Sequence, residues 1–322
     1  MLLKFKLITR LTLLEAKCFD CLDRENERFL LSASFLRKKL YLAMKKQLLL
    51  IQCKDEVGLV ALITRVLANH GLNITAMREF VDESANRFFA RIEFIGEIQN
   101  EEKLYSEMMS GLPFQAEVSI NPKAEKRIAV LVTKEYHCLG DTLVRHFFKT
   151  LGAQICCVAG NYDLLESFTK RFDIPFYHIS HEGKSKADFE AELIKTLEQY
   201  DIDYIVLAKF MRILSPAFVE RFSNKIINIH HSFLPAFIGA SPYKQAFERG
   251  VKLIGATAHF VTNDLDQGPI IVQKTIPVNH TFGPPEMAIA GKEIEKSVLS
   301  QAMQLVFQDR VFISGNRTII FE

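Results

Sequence analysis

The residues best placed to do chemistry stand at the end of one apolar run, Ile226-Ile227-Asn228-Ile229-His230-His231-Ser232-Phe233-Leu234-Pro235-Ala236-Phe237-Ile238-Gly239. Ile226, Ile227 and Ile229 read as a buried strand, and Leu234-Pro235 and Gly239 stop it from continuing as strand or helix. Period 2 puts Asn228 and His230 on one face, about 6 to 7 Å apart at ~3.3 Å per residue. An amide and an imidazole so placed can grip one small group from one side. His231 points to the opposite face and reads as structural. Two further stretches could complete a site. Thr262-Asn263-Asp264-Leu265-Asp266-Gln267-Gly268-Pro269 is a tight turn between late strands, and its carboxylates suit general-base work. Lys209-Phe210-Met211-Arg212-Ile213-Leu214 leaves an earlier strand with an apolar surface and one guanidinium. His259, on an apolar strand, reads as a hydrogen-bonded core histidine that can orient Asp266. Each piece also has a plainer use: a strand-end Asn and His satisfy loop carbonyls, Asp is common in turns, and Met211 to Leu214 suit the core beneath a helix start.

The elements that must position these residues form a second unit starting at Arg127. Ile128-Ala129-Val130-Leu131-Val132 is a continuous apolar strand of the kind buried in a parallel sheet. Ile155 to Ala159, Phe176 to Ile179, Tyr204 to Ala208 and Ile226 to Ile229 follow, with helical patterns between them. That alternation predicts a doubly wound α/β domain, whose ligands bind at the carboxyl ends of the parallel strands. Leu253 to Val261 and Ile270 to Val278 add strands, and a long helix over about Pro285 to Gln308 closes the unit. The first strand runs into Thr133-Lys134-Glu135-Tyr136-His137-Cys138-Leu139-Gly140, with no G-x-G-x-x-G and no G-x-x-x-x-G-K-[ST], so dinucleotide and nucleoside-triphosphate binding lose their main support.

Ahead of it, residues 46–121 follow a βαββαβ pattern. Leu48 to Cys53 is a strand, Val57 to Asn69 a helix ended by His70-Gly71, Ile74 to Val81 and Arg87 to Ile95 two strands, Asn100 to Ser110 a helix and Gln115 to Ile120 a last strand. Residues 121–126 read as a linker. Residues 1–43 conform to neither unit. They hold nine Lys/Arg and five Asp/Glu, a net of +4 that leaves −2 for the remainder. We expect them to be a non-conforming extension, an upstream start read in error with Met44 standing just before the first strand pattern; a real helical extension is the alternative.

Composition bounds the rest. The chain has 322 residues, 48% apolar and 24% charged, with a net charge of +2, which suits a two-domain globular protein and gives no whole-chain reason to expect nucleic acid or an anionic membrane. No apolar stretch approaches the ~18 residues of a membrane span. Six cysteines (18, 21, 53, 138, 156, 157) in so long a chain make no disulfide framework, and Cys18-Phe19-Asp20-Cys21 is a metal half-site with no second half, so no metal is expected. The chain reads as cytoplasmic.

Two resemblances sharpen this picture. The order of elements in 46–121, with Asp55-Glu56-Val57-Gly58-Leu59-Val60 at the first strand-to-helix turn, resembles an ACT domain. That implies a regulatory unit, an amino-acid effector near Asp55, Val57, Gly58 and Leu59, and a homo-oligomer; a ferredoxin-like structural or dimerisation module has the same order. In 127–322, Asn228-Ile229-His230, Ser232-x-Leu234-Pro235 with Gly239, Gly255-Ala256-Thr257-x-His259 and Asp266-x-Gly268-Pro269 resemble the folate-dependent formyl-transfer family. The fold class is therefore expected to be α/β, an N-terminal ferredoxin-like ACT domain before a doubly wound, mostly parallel, Rossmann-type formyltransferase-like sheet. The resemblance implies that Asn228, His230 and Asp266 handle the formyl group of 10-formyltetrahydrofolate, that Met211, Arg212, Ile213 and Leu214 form the pterin wall, and that Thr262, Asn263, Asp264 and Leu265 complete the folate site. It also implies no cofactor, the folate being the substrate.

An ACT domain ahead of such a domain resembles the hydrolytic branch of the family, which releases tetrahydrofolate and formate and supplies formate for purine synthesis. The loop after the first strand agrees: family members with a phosphorylated acceptor hold it on a glycine-rich loop, and here Lys134 to Cys138 stand instead. Transfer to an amine acceptor is the alternative; a non-catalytic folate or amino-acid sensor is disfavoured, since a binder needs no base. N-terminal sequencing of the native protein is expected to find a first residue at or near Met44, and a start at Met1 would overturn that expectation.

Overall fold

The computed structural model describes residues 46–235 and 242–322. The expectations for 1–43, for Cys18-Phe19-Asp20-Cys21 and for Gly239 fall outside the described residues.

The first unit is an antiparallel sheet with two helices on one face. Its strands are β1 (Gln47–Lys54), β2 (Asn73–Asp82), β3 (Arg87–Ile95) and β4 (Glu117–Ile120), in the order β2-β3-β1-β4. Strand alternation sends Leu49, Ile51 and Cys53 of β1 into a core with Ile63 and Leu67 of α1 (Leu59–Asn69) and Leu104 and Met108 of α2 (Glu101–Gly111). Helix α1 begins two residues later than periodicity predicts, because Gly58 takes φ +94° and turns the chain, leaving Val57 wholly exposed. Asn100 caps α2 by accepting from the Lys103 N–H at 2.8 Å. The last strand starts at Glu117 rather than Gln115, whose φ of +63° belongs to a turn.

The second unit is a seven-stranded sheet in the order β11-β10-β9-β8-β5-β6-β7. Its strands are β5 (Lys126–Val132), β6 (Ala153–Gly160), β7 (Phe176–His178), β8 (Tyr204–Leu207), β9 (Ile226–His230), β10 (Leu253–Phe260) and β11 (Ile270–Pro277). Strands β5 to β9 pair in parallel, and β10 and β11 add antiparallel pairs at one edge. Apolar residues face both ways from β5. Ile128, Val130 and Val132 pack with α3 (His137–Phe147) and α8 (Pro284–Phe307). Ala129 and Leu131 pack with α5 (Lys186–Leu197) and α6 (Pro216–Arg221). The short helices α4 (Glu166–Lys170) and α7 (Pro242–Glu248) complete the set. From β5 the chain adds β6 and β7 on one side, then β8 and β9 on the other, so the switch point lies between β5 and β8. No described helix is long and apolar enough to cross a membrane.

One element escaped the sequence reading: a hairpin of β12 (Val311–Ser314) and β13 (Arg317–Ile320) after α8. It covers the outer face of the first sheet, where Phe89 is fully buried against Phe312 and Phe321. Polar ties surround that contact. Asp82 accepts from Arg317 Nη2 at 2.7 Å and Ser314 Oγ at 2.8 Å, and Arg91 donates to the Asp309 carbonyl at 3.1 Å. Lys126, first read as linker, belongs to β5 and pairs with Asp309 at 2.8 Å. The Phe89→Ala variant should lose about 3–5 kcal/mol in denaturant unfolding and become protease-sensitive over residues 121–126. A loss within the range of a surface substitution would mean that the two units are not packed through this ring.

Candidate active site

Strand β9 ends where the apolar side chains end, and its pairing with β10 sets the geometry. The register places His259 opposite Asn228 and Thr257 opposite His230, so the four side chains are cross-strand neighbours. His259 Nδ1 donates to the Phe260 carbonyl at 2.8 Å, which leaves a lone pair on Nε2 to accept from Asn228 Nδ2 at 3.2 Å. That bond fixes the amide and leaves its second N–H free. Burial, the larger effect, holds His259 neutral by lowering its pKa.

Asp266 comes from the turn after β10. Phe260 N–H bonds Pro269 O at 2.9 Å across the turn, and a Cβ on Gly268 would stand 1.8 Å from the Phe260 carbonyl, so this close approach requires glycine. Asp266 itself takes φ +56°. Its Oδ1 lies 3.3 Å from His230 Nδ1 and 3.8 Å from His259 Nε2. The His230 hydrogen bond, ahead of opposing burial, pulls the Asp266 carboxyl below its ordinary pKa, so the group is a carboxylate near neutrality. His230 Nε2 is buried and has no hydrogen-bond partner among the described residues.

Asn228, His230 and Asp266 line one cavity of about 340 Å³, shared with Met211, Arg212, Ile213, Leu214, Thr262, Asn263 and Leu265. It lies beside the switch point, at the ends of β8 and β9. The loop 209–214 is pinned by Met211 N–H to Thr133 Oγ1 at 2.9 Å and by Phe210 stacked on Phe189 at 6.4 Å. Met211 and Ile213 stay 60% and 63% exposed at the mouth, an apolar rim of the kind that a flat ligand covers.

Two expectations are corrected. Asp264 is exposed and absent from the lining, its carbonyl accepting from Thr262 Oγ1 at 3.3 Å. His231 lines the same cavity as His230, with ring centroids 5.1 Å apart, because β9 ends at His230 and strand alternation no longer applies. Burial first, then Lys209, lowers its pKa to about 4. Lys209, at the head of the loop stretch, and His259, expected as a core histidine, also line the cavity.

The two units match known families separately. Residues 47–108 match the ACT domain family and residues 126–303 the formyl transferase family. Formyltetrahydrofolate deformylase of Escherichia coli (strain K12) is 50% identical over 278 residues, covering 86% of this chain and 99% of that protein. The chain belongs to the formyltetrahydrofolate deformylase family. The crystal structure of the Pseudomonas syringae formyltetrahydrofolate deformylase superposes with a TM-score of 0.81 at 34% identity, covering 91% of this chain and all of that one. Glycinamide ribonucleotide transformylase 1 from Symbiobacterium toebii aligns with a TM-score of 0.60 at 29% identity, over 66% of this chain and all of its own. Deformylases and transformylases thus share the fold that carries this cavity.

The bond from Asn228 to His259 yields a test. His259→Leu keeps the bulk but frees the amide, and a misplaced donor costs on the order of 10² in rate. We expect kcat to fall by that order with KM little changed in steady-state assays; an unchanged kcat would show that His259 does not orient Asn228.

Proposed function

We propose that the chain hydrolyses 10-formyltetrahydrofolate to tetrahydrofolate and formate with Asn228, His230 and Asp266 as its catalytic residues. The observation that carries this assignment is the meeting of an ionised carboxylate, a fixed amide N–H and an unpartnered imidazole nitrogen at the inner end of one cavity. The pterin lies against Met211 to Leu214 and under Thr262, Asn263 and Leu265, which brings the formyl carbon to the three polar groups.

Water then sits on Asp266. As the carboxylate takes a proton, the water oxygen bonds to the formyl carbon and the carbonyl electrons move onto oxygen. Asn228 Nδ2 donates its free N–H to that oxyanion. His230, held with Nδ1 facing Asp266, turns its unpartnered Nε2 to the same oxygen as the second donor. Collapse re-forms the carbonyl and breaks the C–N10 bond, the proton held by Asp266 passes to N10, and formate leaves with release of the remaining proton. A positioned base supplies on the order of 10² to 10⁴ and one oxyanion donor roughly 10² to 10³.

The chemistry needs only the chain and its substrate. The setting is cytoplasmic, supported by cysteines 53, 138, 156 and 157, all buried free thiols, and the formate supplies purine synthesis. The first unit senses an amino acid at the start of α1, where Gly58 leaves open space beside Asp55 and Val57. Leu59 contributes its backbone only, its side chain lying in the core. Strand β2, at the edge of its sheet, offers the pairing surface for a homo-oligomer.

Transfer to an amine is the second possibility, favoured by the shared fold with the Symbiobacterium toebii transformylase. Incubation with 10-formyltetrahydrofolate and no amine decides between them: hydrolysis releases formate and tetrahydrofolate together, and no formate without an amine refutes it. Asp266→Asn should cut kcat by about 10² to 10⁴ while folate binding, followed by fluorescence titration, is largely kept. Near wild-type turnover would remove Asp266 as the base.

A further inference from the structure

The cavity has an open end and a blind one. Met211, Ile213 and Leu265 form the exposed rim, whereas Lys209, His230 and His259 are buried, Lys209 being 8% exposed. Lys209 therefore belongs to the buried wall of the cavity that also holds Asn228, His230 and Asp266. Its backbone takes φ +64°, the left-handed region that favours glycine, a strained conformation that persists only when its surroundings impose it.

The imposing group is Glu295 of α8, 1% exposed. Its Oε2 receives Lys209 Nζ at 3.2 Å and His137 Nε2 at 2.8 Å, and its Oε1 receives Tyr243 Oη at 2.6 Å. Burial works against the charge, but the His137 bond, the Lys209 cation and the Tyr243 bond together hold the carboxyl at about 2. His137 opens α3, Lys209 follows β8 and Tyr243 lies on α7 after β9, so one carboxylate gathers the segments that leave three neighbouring strands. His137, Cys138 and Glu295 lie close enough together to suggest a metal site. The Lys209 ammonium already supplies the cation there, and burial pushes the Cys138 thiol far up, away from the thiolate that a metal needs.

A buried ion pair adds little net stability over an apolar pair of the same bulk. What this one does secure is a single position for a long side chain at the blind end. We propose that Lys209, clamped by Glu295 with His137 and Tyr243, is a specificity-determining wall that admits water to the formyl carbon and excludes larger nucleophiles. The wall has meaning only for the hydrolase proposed above. With it removed, an amine nitrogen bonds to the formyl carbon, the C–N10 bond breaks, the proton lost by the amine passes through Asp266 to N10, and the products are the N-formyl amine and tetrahydrofolate.

The test supplies 10-formyltetrahydrofolate with glycinamide as a probe amine and measures N-formylglycinamide and formate by mass spectrometry. Wild type should yield formate only. Lys209→Gly, which opens the blind end and suits the backbone, should raise the ratio of N-formylglycinamide to formate at least ~10-fold, the discrimination that a small change of pocket volume gives. Lys209→Met, which keeps the bulk without the charge, should stay at the wild-type ratio. Lys209→Ala paired with Glu295→Gln, which shortens the same side chain and leaves no unpaired buried charge, repeats the test should Lys209→Gly not fold. The ratio is internal to each variant, so a lower total rate does not obscure it. N-Formylglycinamide from wild type, a wild-type ratio in the folded open variants, or an equal rise in Lys209→Met would overturn the wall. Absence of formate from wild type without amine would instead defeat hydrolysis itself.

Discussion

The antiparallel pairing of β10 against β9 is the constraint on which the site depends. A parallel sheet alone would present Asn228 and His230 as two isolated polar groups at a strand end. Pairing in this register sets His259 beside Asn228, and the bond between them decides which way the amide faces. The same strand runs on into the turn that returns Asp266 to His230. A slip of β10 by one residue would carry Thr257 and His259 to the opposite face of the sheet, away from His230 and Asn228. Gly268 guards against such a slip, since its contact with the Phe260 carbonyl holds the turn at one depth.

Charge in the site follows from that placement. Two histidines beside one carboxylate are kept from acting alike by their other partners. His259 spends its Nδ1 proton on a backbone carbonyl and stays neutral through burial. His230 directs Nδ1 to Asp266 and leaves Nε2 unpartnered. One ring therefore orients and the other is available to an incoming oxygen. Asp266 remains ionised without losing access to the cavity, its side chain being 14% exposed. Such a division between neighbouring titratable groups marks acid–base sites, and here backbone geometry produces it.

Much of the fold was legible in sequence because each element carries a strong period. Both-faced apolar strands such as Ile128 to Val132 demand a sheet covered on two sides, and the helices of the first unit show their caps at Asn100 and His70-Gly71. The hairpin after α8 was not legible. Val311 to Ile320 reads as a short tail, and its apolar residues acquire a purpose only against Phe89 and Leu50, more than two hundred positions earlier. In the same way Phe89 alternates onto the outer face of its sheet, where sequence alone predicts solvent.

The site was legible where polarity interrupts an apolar strand and illegible where backbone geometry departs from period. Asn228 and His230 obey alternation; His231 does not, because the strand has ended beneath it. Asp266 and Asp264 are indistinguishable as turn acids, and only the left-handed φ of Asp266 turns one of them inward. Lys209 is the strongest case. A lysine after a strand normally reads as solvated surface, and nothing local announces that a carboxylate on a helix eighty-six residues later will bury it. Long-range electrostatics of this kind leaves no period in the sequence, and for that reason the blind end of the cavity becomes visible only once the chain is folded.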